Sequence, residues 1–160
     1  MLNINLVYLG NERELFYKQA ADEYIKRISP FCSFTQKNIK DEKLQNNPSF
    51  SEIKNALEKE GGKILNSIPP RHYKIALCVE GTQVSSEKFS NLLSSVPGMG
   101  FSGISFIIGS SYGICDKVKS SCDFKLSMSN MTFPHKLAKV MLLEQIYRAF
   151  EINKGSKYHK

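Results

Sequence analysis

The chain alternates strand-like and helix-like segments from one end to the other, and this alternation limits the fold more than any other feature. Five short runs rich in apolar residues predict β-strands, and a segment with helical spacing follows each of them. The predicted strands cover 4–9, 31–39, 73–79, 104–108 and 123–128. The predicted helices lie between Gly10 and Pro30, over 50–68, 85–93 and 114–121, and from Pro134 to Asn153. Alternation is typical of α/β proteins. We therefore predict one domain over residues 1–160, a five-stranded, mostly parallel sheet with flanking helices.

Two local patterns give further expectations about the helices. Asn11 precedes Glu14 by three residues, which predicts a capping box at the start of the first helix. Gly61 and Gly62 stand together inside the second helix, and glycine is a poor helix former. We therefore expect this pair to weaken or bend the second helix.

The composition favours a polyanionic partner over a membrane or a metal. A net charge of +7 suits nucleic acid, although solubility alone would also explain it. No apolar run reaches the roughly 18 residues of a membrane span, and the amino terminus lacks the basic region of a signal peptide. We expect a cytoplasmic protein. Cys32, Cys78, Cys115 and Cys122 show no Cys-x-x-Cys spacing, which argues against zinc and for reduced, structural thiols.

Three predicted strand ends carry glycines and small polar residues. They are 77–81, 109–113 and 127–134. The carboxyl ends of parallel strands share one edge of a sheet, where α/β proteins bind ligands. The last segment offers hydrogen-bonding groups from Ser129, Asn130 and Thr132 and an apolar wall from Met128, Met131 and Phe133. This mixture suits a flat ligand such as an adenine nucleoside, although the segments could be ordinary turns. Neither a Gly-x-Gly-x-x-Gly motif after the first strand nor a P-loop is present.

Four segments in the last third of the chain occur in a specific combination. They are Phe-Ile-Ile-Gly109-x-x-x-Gly113, Leu-Ser-x-Ser-x-Met-Thr-Phe-Pro-His135, Glu144-Gln-Ile-Tyr-Arg-Ala-Phe150 and the closing Tyr158-His159-Lys160. Together with the Val-Tyr-Leu-Gly10 opening, they resemble the RlmH family. These are SPOUT-class methyltransferases that act on pseudouridine in large-subunit ribosomal RNA, and the resemblance extends over essentially the whole chain.

The resemblance implies a SPOUT-type fold with a deep trefoil knot near the carboxyl terminus. It also implies S-adenosyl-L-methionine held in the knot loops, a homodimer whose two subunits complete the site, and methylation of N3 of a pseudouridine in 23S ribosomal RNA on the assembled ribosome. The implied cofactor contacts are Leu77, Gly109, Met128, Ser129, Asn130, Met131, Thr132 and Phe133. At Ser110 the family usually has a second glycine, and we expect the added side chain to lie beside the ligand.

Methyl transfer from a sulfonium to nitrogen requires no metal but does require a deprotonated acceptor. A base or cation near N3 would stabilise the developing anion, and the candidates are His135, Arg148, Tyr158 and His159. Each has an alternative interpretation. His135 could be a surface or capping residue, and Arg148 could form an intrahelical ion pair with Glu144. The Tyr158–Lys160 tail could be frayed, whereas the family suggests that it folds over the partner subunit's site.

Apolar residues surround most of the last helix, which is typical of a helix buried on two sides. A second subunit would cover the additional side, and packing within one chain is the alternative. Two other functions stay open from the sequence. A non-catalytic basic protein could hold ribosomal RNA without binding the methyl donor. A nucleotide-binding phosphotransferase would require a P-loop or a cluster of metal-binding carboxylates, and the sequence displays neither.

Overall fold

Five parallel strands form the centre of the molecule. The structure is a computed structural model, and it describes residues 1–11 and 13–160. The strands are β1 (Leu2–Leu9), β2 (Cys32–Ile39), β3 (His72–Thr82), β4 (Gly103–Ile108) and β5 (Phe124–Leu126). Their order in the sheet is β2-β1-β4-β3-β5. Every neighbouring pair is parallel, so the predicted α/β sheet is confirmed and is parallel throughout.

The helices alternate with the strands as predicted. They are α1 (Leu15–Ile28), α2 (Phe50–Asn66), α3 (Ser86–Ser95), α4 (Asp116–Ser121) and α5 (His135–Asn153). A short 3-10 helix over Val96–Met99 replaces the first part of the loop expected from Pro97. Among the described helices, none has the length and apolar character needed to cross a membrane.

Both faces of the sheet are covered, which explains why the central strands are apolar at successive positions. Leu6 and Tyr8 point to the face packed by α1, α3 and α5, whereas Val7 and Leu9 point to the face packed by α2 and α4. Successive side chains of a strand alternate between faces, so a strand buried on both faces has no polar side. The two layers of helices leave the carboxyl ends of the strands as one shared edge.

The predicted capping box at Asn11 and Glu14 is wrong. Helix α1 begins at Leu15, and its N-cap residue is Glu14, whose side chain makes no capping hydrogen bond. The Glu14 carboxylate instead forms an ion pair with Lys136 at the start of α5. Position 12 lies outside the described residues. A capping box does occur at α2, where Ser49 and Glu52 each accept a hydrogen bond from the other's backbone amide.

Helix α2 runs unbroken through Gly61 and Gly62, and the two glycines have different surroundings. A Cβ on Gly61 would lie 2.4 Å from Cys115 Sγ, whereas a Cβ on Gly62 would meet nothing within 4 Å. Gly61 therefore allows α2 to approach the residues that lead into α4. Gly62 contributes only the low helix propensity of glycine.

These surroundings predict opposite effects of alanine at adjacent positions. Gly62→Ala should raise the free energy of unfolding by about 1 kcal/mol through helix propensity. Gly61→Ala should lower it by about 1–2 kcal/mol, because the overpacking against Cys115 destabilises the protein more than the higher helix propensity of alanine stabilises it. Urea unfolding followed by circular dichroism measures both effects, and Cys115→Ala should restore much of the loss in Gly61→Ala. Equal stability of the two single variants would contradict this account.

Candidate active site

The carboxyl ends of β3, β4 and β5 enclose a cavity of about 350 Å³. Its walls come from the end of β3, the loop after β4, the segment after β5 and the first turn of α5. The three strand ends therefore meet at one sheet edge, as the sequence predicts. The predicted cofactor residues that line this cavity are Leu77, Gly109, Met128, Ser129, Met131, Thr132 and Phe133.

An irregularity in β3 forms one wall of the cavity. Both Leu77 and Thr82 pair with Leu126 of β5, so the intervening residues leave the regular ladder. Three of them, Cys78, Val79 and Glu80, line the cavity. β-Bulges commonly redirect side chains next to active sites, and here the irregularity turns strand residues into cavity wall.

The loop after β4 is tightly folded. The Gly113 amide donates to the Ser110 carbonyl oxygen at 2.9 Å, and Gly113 adopts a φ of 93°, a conformation that glycine tolerates best. A Cβ on Gly109 would lie 2.3 Å from the Gly113 carbonyl oxygen and 2.6 Å from Ile114 Cγ1. Only glycine at position 109 allows the loop to close on itself in this way. The polypeptide backbone thus forms part of the cavity wall.

The segment after β5 is held by its own serines. The Ser127 hydroxyl donates to the Ser129 carbonyl oxygen at 3.0 Å, and the Ser129 hydroxyl accepts from the Met131 amide at 3.0 Å. Asn130 differs from its neighbours, because its side-chain oxygen accepts from Gln83 Nε2 at 2.7 Å. Asn130 is not among the described residues that line the cavity. Its side chain instead connects this segment to the residues after β3.

His135 lies at the edge of the cavity, as the first residue of α5. Its ring centroid is 5.6 Å from that of Tyr8, and a Cβ on Gly10 would lie 2.8 Å from its Nε2 atom. Burial, together with the charge of Lys136, lowers the pKa of His135 below its usual value of 6.5. The imidazole is therefore neutral at neutral pH and able to accept a proton.

The other three catalytic candidates form a separate tail cluster, in which Arg148 and Tyr158 contact Glu144 and Arg148 Nη1 lies 3.4 Å from His159 Nδ1. Arg148 donates to Glu144 Oε1 at 2.6 Å, the Tyr158 hydroxyl donates to the same oxygen at 3.1 Å, and His159 Nε2 lies 2.6 Å from Glu87 Oε1. The intrahelical Glu144–Arg148 ion pair is present, whereas the tail is not frayed but packs on its own α5, with Tyr158 edge-on to Tyr147.

This tail cluster does not meet His135 within one chain. Arg148 follows His135 by 13 residues on the same helix, which corresponds to about 20 Å along the axis at 1.5 Å per residue. The structure therefore divides the four catalytic candidates into one at the cavity and three at the far end of α5.

A second depression, of about 480 Å³, lies beside α5. Val84 and Phe89 line one side and Val140 and Met141 the other, and Met128 belongs to both this groove and the cavity. Packing of α5 against α1 and α3 within one chain already buries much of its apolar surface. Val140 and Met141 stay half-buried in this packing, and both line the groove.

Several cavity residues could not be identified from the sequence motifs. Lys119 of α4 forms an ion pair with Glu80 beside the cavity. Tyr112 is half exposed at the tip of the loop after β4, and Ala138 lies in the first turns of α5. Glu80 belongs to a strand end that the sequence marks, but Lys119 has no local signal, because its position depends on how α4 packs. In residues 1–11 and 13–160, no three His, Cys, Asp or Glu side chains are grouped to hold a metal ion.

Comparison with known proteins places this geometry in context. The sequence matches the family described as "Predicted SPOUT methyltransferase" over residues 2–159. It is 45% identical to the ribosomal RNA large subunit methyltransferase H of Clostridium botulinum (strain Kyoto / Type A2), over 99% of this chain and 100% of that protein. The ribosomal RNA large subunit methyltransferase H 1 of Clostridium perfringens (strain SM101 / Type A) and the methyltransferase H of Clostridium acetobutylicum are 44% and 43% identical over the same shares.

Proposed function

The chain belongs to the SPOUT methyltransferase family, and from that premise we propose that it methylates N3 of a pseudouridine in 23S ribosomal RNA. The methyl donor in this proposal is S-adenosylmethionine, the substrate is the large subunit of the assembled ribosome, and the compartment is the cytoplasm. One domain, residues 1–160, carries the whole activity. The parallel five-stranded sheet is a SPOUT fold, and the trefoil knot near its carboxyl terminus stays a prediction.

The cavity at the strand ends is the observation that carries this proposal. Its volume of about 350 Å³ lies within the roughly 300–1,000 Å³ of small-molecule sites. Apolar walls from Leu77, Met128 and Phe133 stand beside the backbone of Gly109 and the hydroxyl of Thr132. Such a lining suits an adenosine group, which has an apolar ring and hydrogen-bonding edges. We assign the seven predicted residues that line the cavity to this group, and Asn130 to the support of their segment.

His135 is the residue best placed to move a proton. When bound, S-adenosylmethionine would supply a methyl group that its sulfonium has already activated. The remaining requirement is removal of the proton from N3 of the base, and a neutral imidazole at the cavity edge can accept it. Because burial lowers the pKa of His135, the imidazole is ready for this role across the neutral pH range. The rest of the cavity aligns donor and acceptor.

Replacing His135 by glutamine should lower kcat by about 100-fold or more, the contribution typical of a general base. In the unaltered protein, the rate should fall as the pH drops through the lowered pKa of His135, because the protonated ring cannot accept a proton. The His135→Gln variant should lack this acidic limb, and kcat measured across acidic and neutral pH tests both statements.

His72 provides the matched control for this measurement. Burial lowers its pKa too, but it begins β3 at the opposite end from the cavity and contacts Ser105 at 2.9 Å. His72→Gln should therefore keep both the rate and its acidic limb. Loss of the limb in His72→Gln, or its persistence in His135→Gln, would show that another group accepts the proton.

We infer further that two copies of the chain complete each site. The tail cluster lies about 20 Å along α5 from His135 within one chain, so Arg148, Tyr158 and His159 could act on the reacting base only from a partner subunit. The groove with Val140 and Met141 adjoins the cavity through Met128, which makes it the surface where a second α5 would pack. In this arrangement the cationic Arg148 faces the RNA or the anion that develops on the base.

Incubation with labelled S-adenosylmethionine tests the function directly. Ribosomal particles from cells that lack the enzyme serve as substrate, and mass mapping of nucleosides locates the methyl group. We expect label on N3 of a single pseudouridine of the large-subunit RNA. A non-catalytic ribosomal RNA-binding protein would bind the particles without saturable binding of the methyl donor, and that result would refute the proposal.

A further inference from the structure

Glu60 is a buried carboxylate behind the cavity. It belongs to α2, and only 3% of the residue is exposed to solvent. Acidic side chains are rarely buried to this extent without partners, because loss of hydration is costly. The partners of Glu60 therefore show what this side chain holds in place.

Each oxygen of the Glu60 carboxylate accepts one hydrogen bond. The Glu42 amide donates to Oε1 at 2.9 Å, and the Ser110 hydroxyl donates to Oε2 at 3.0 Å. Burial raises the pKa of Glu60, and the bonds from Glu42 and Ser110 lower it, so both donors favour the carboxylate. One side chain thus joins α2, the segment after β2 and the loop after β4.

The same turn of α2 touches the loop after β4 at a second point. Gly61 follows Glu60 directly and leaves room for Cys115 at the far end of that loop. Ser110 and Cys115 are thus both anchored to adjacent residues of α2. Between them lie Tyr112, Gly113 and other residues that line the cavity. A loop fixed at both ends loses less conformational freedom when a ligand binds.

We propose that Glu60 is a positioning residue of the cofactor site, which acts through the Ser110 hydroxyl to hold the loop after β4 in its binding conformation. This inference rests on the proposed function, because the ligand of the cavity is taken to be S-adenosylmethionine. Ser110 lines the cavity, so the expectation that its side chain lies beside the ligand stays a prediction. Its hydroxyl is engaged by Glu60, and its effect on the ligand is exerted through the loop.

Four single variants test the role of this pair. Ser110→Ala and Glu60→Met remove the hydrogen bond, whereas Ser110→Thr and Glu60→Gln keep groups that can form it. Loss of one hydrogen bond that preorganises a loop should raise the KM for S-adenosylmethionine about three- to tenfold. The conservative variants should stay near the unaltered value. At saturating cofactor kcat should be unchanged in all four, as should the KM for ribosomal particles.

The double variant Ser110→Ala with Glu60→Met separates positioning from direct contact. If Glu60 acts through Ser110, the double variant should be no worse than the weaker-binding single variant. Multiplied effects would overturn the proposal, because each residue would then act independently. An increase in KM for Ser110→Ala with no change for Glu60→Met would overturn it too, since Ser110 would then contact the cofactor itself.

Calorimetry with S-adenosylmethionine alone distinguishes this inference from the proposed function. Absence of binding to the unaltered protein would refute the function, whereas equal affinity of the unaltered protein and Ser110→Ala would refute only the positioning role. Ser94→Ala is the matched control, because it removes a serine hydroxyl bond of 3.0 Å from the exposed face of α3. If Glu60→Met does not fold, Glu60→Ala takes its place in the single and double variants, because its smaller side chain also removes the hydrogen bond to Ser110.

Discussion

Replacing Gly109 by alanine should weaken the binding of S-adenosylmethionine at least about 100-fold, or about 2.7 kcal/mol. The added Cβ would lie 2.3 Å from the Gly113 carbonyl oxygen. That neighbour is backbone, so it cannot rotate away as a flexible side chain could. The loop after β4 must open, and the wall that it gives to the cavity must move with it. Isothermal titration calorimetry of the variant measures the loss of affinity.

Alanine at two other glycines should weaken cofactor binding less or not at all, which gives a graded series of affinities. Gly98→Ala is the matched control, because a Cβ there meets nothing within 4 Å, and its affinity should equal that of the unaltered protein. Gly113→Ala also has open space, but its φ of 93° is unfavourable for alanine, so an intermediate loss is expected at a cost of roughly 1–2 kcal/mol. Unchanged affinity in Gly109→Ala, with circular dichroism confirming a folded protein, would contradict the assignment of the cavity.

Deletion of Tyr158–Lys160 should abolish methylation while folding and dimerisation persist. Among the described residues, the tail contacts Tyr147 through an aromatic pair, Glu144 and Glu87 through hydrogen bonds, and Arg148 through the Tyr158 ring and the His159 imidazole. Removing these interactions should cost about 1–2 kcal/mol of unfolding free energy, which a domain of this size tolerates. A rate assay, thermal unfolding and light scattering test the three parts of this expectation.

Mixing two inactive variants then reveals whether a tail serves the active site of its own chain or that of the partner subunit. A mixed dimer contains one tail-deleted chain and one His135→Gln chain. One of its two sites then combines the intact His135 of the tail-deleted chain with the intact tail of the His135→Gln chain. Random exchange makes half of the dimers mixed, with one complete site of two, so about a quarter of the normal activity should return. If the mixture stays inactive although mixed dimers form, each tail serves the site of its own chain, and the proposed sharing is wrong.

The sequence predicts the strands well because burial on both faces of a parallel sheet leaves continuous apolar runs. The run around Ile107 needs no knowledge of its neighbours to be assigned. The start of α1 is different, since Glu14 binds Lys136, a residue 122 positions away, and local capping rules contain no information about that interaction. A capping pattern is therefore reliable only where the helix start is decided locally, as at Ser49.

The candidate site likewise contains residues that the sequence identified and residues that it did not. Motif resemblance found the segment after β5, because its residues are adjacent in the chain and line the cavity together. It assigned no role to Lys119 or Glu60, which reach the site through the packing of α4 and α2. The exchange of a usual glycine for Ser110 was visible in the sequence, but the direction of its hydroxyl was not, because Glu60 precedes it by 50 residues.

The position of β1 in the sheet has a consequence for how newly made chains fold. β1 pairs with β2 on one side and with β4 on the other, and Ile4 lies opposite Ile104. At a translation rate of about 5–20 residues per second, β4 is synthesised about 5–20 s after β1. Until then one edge of β1 is unpaired, and such edges can join other chains. The nascent protein therefore completes the middle of its sheet late, and its yield in the cell should depend on chaperones that shield this edge during synthesis.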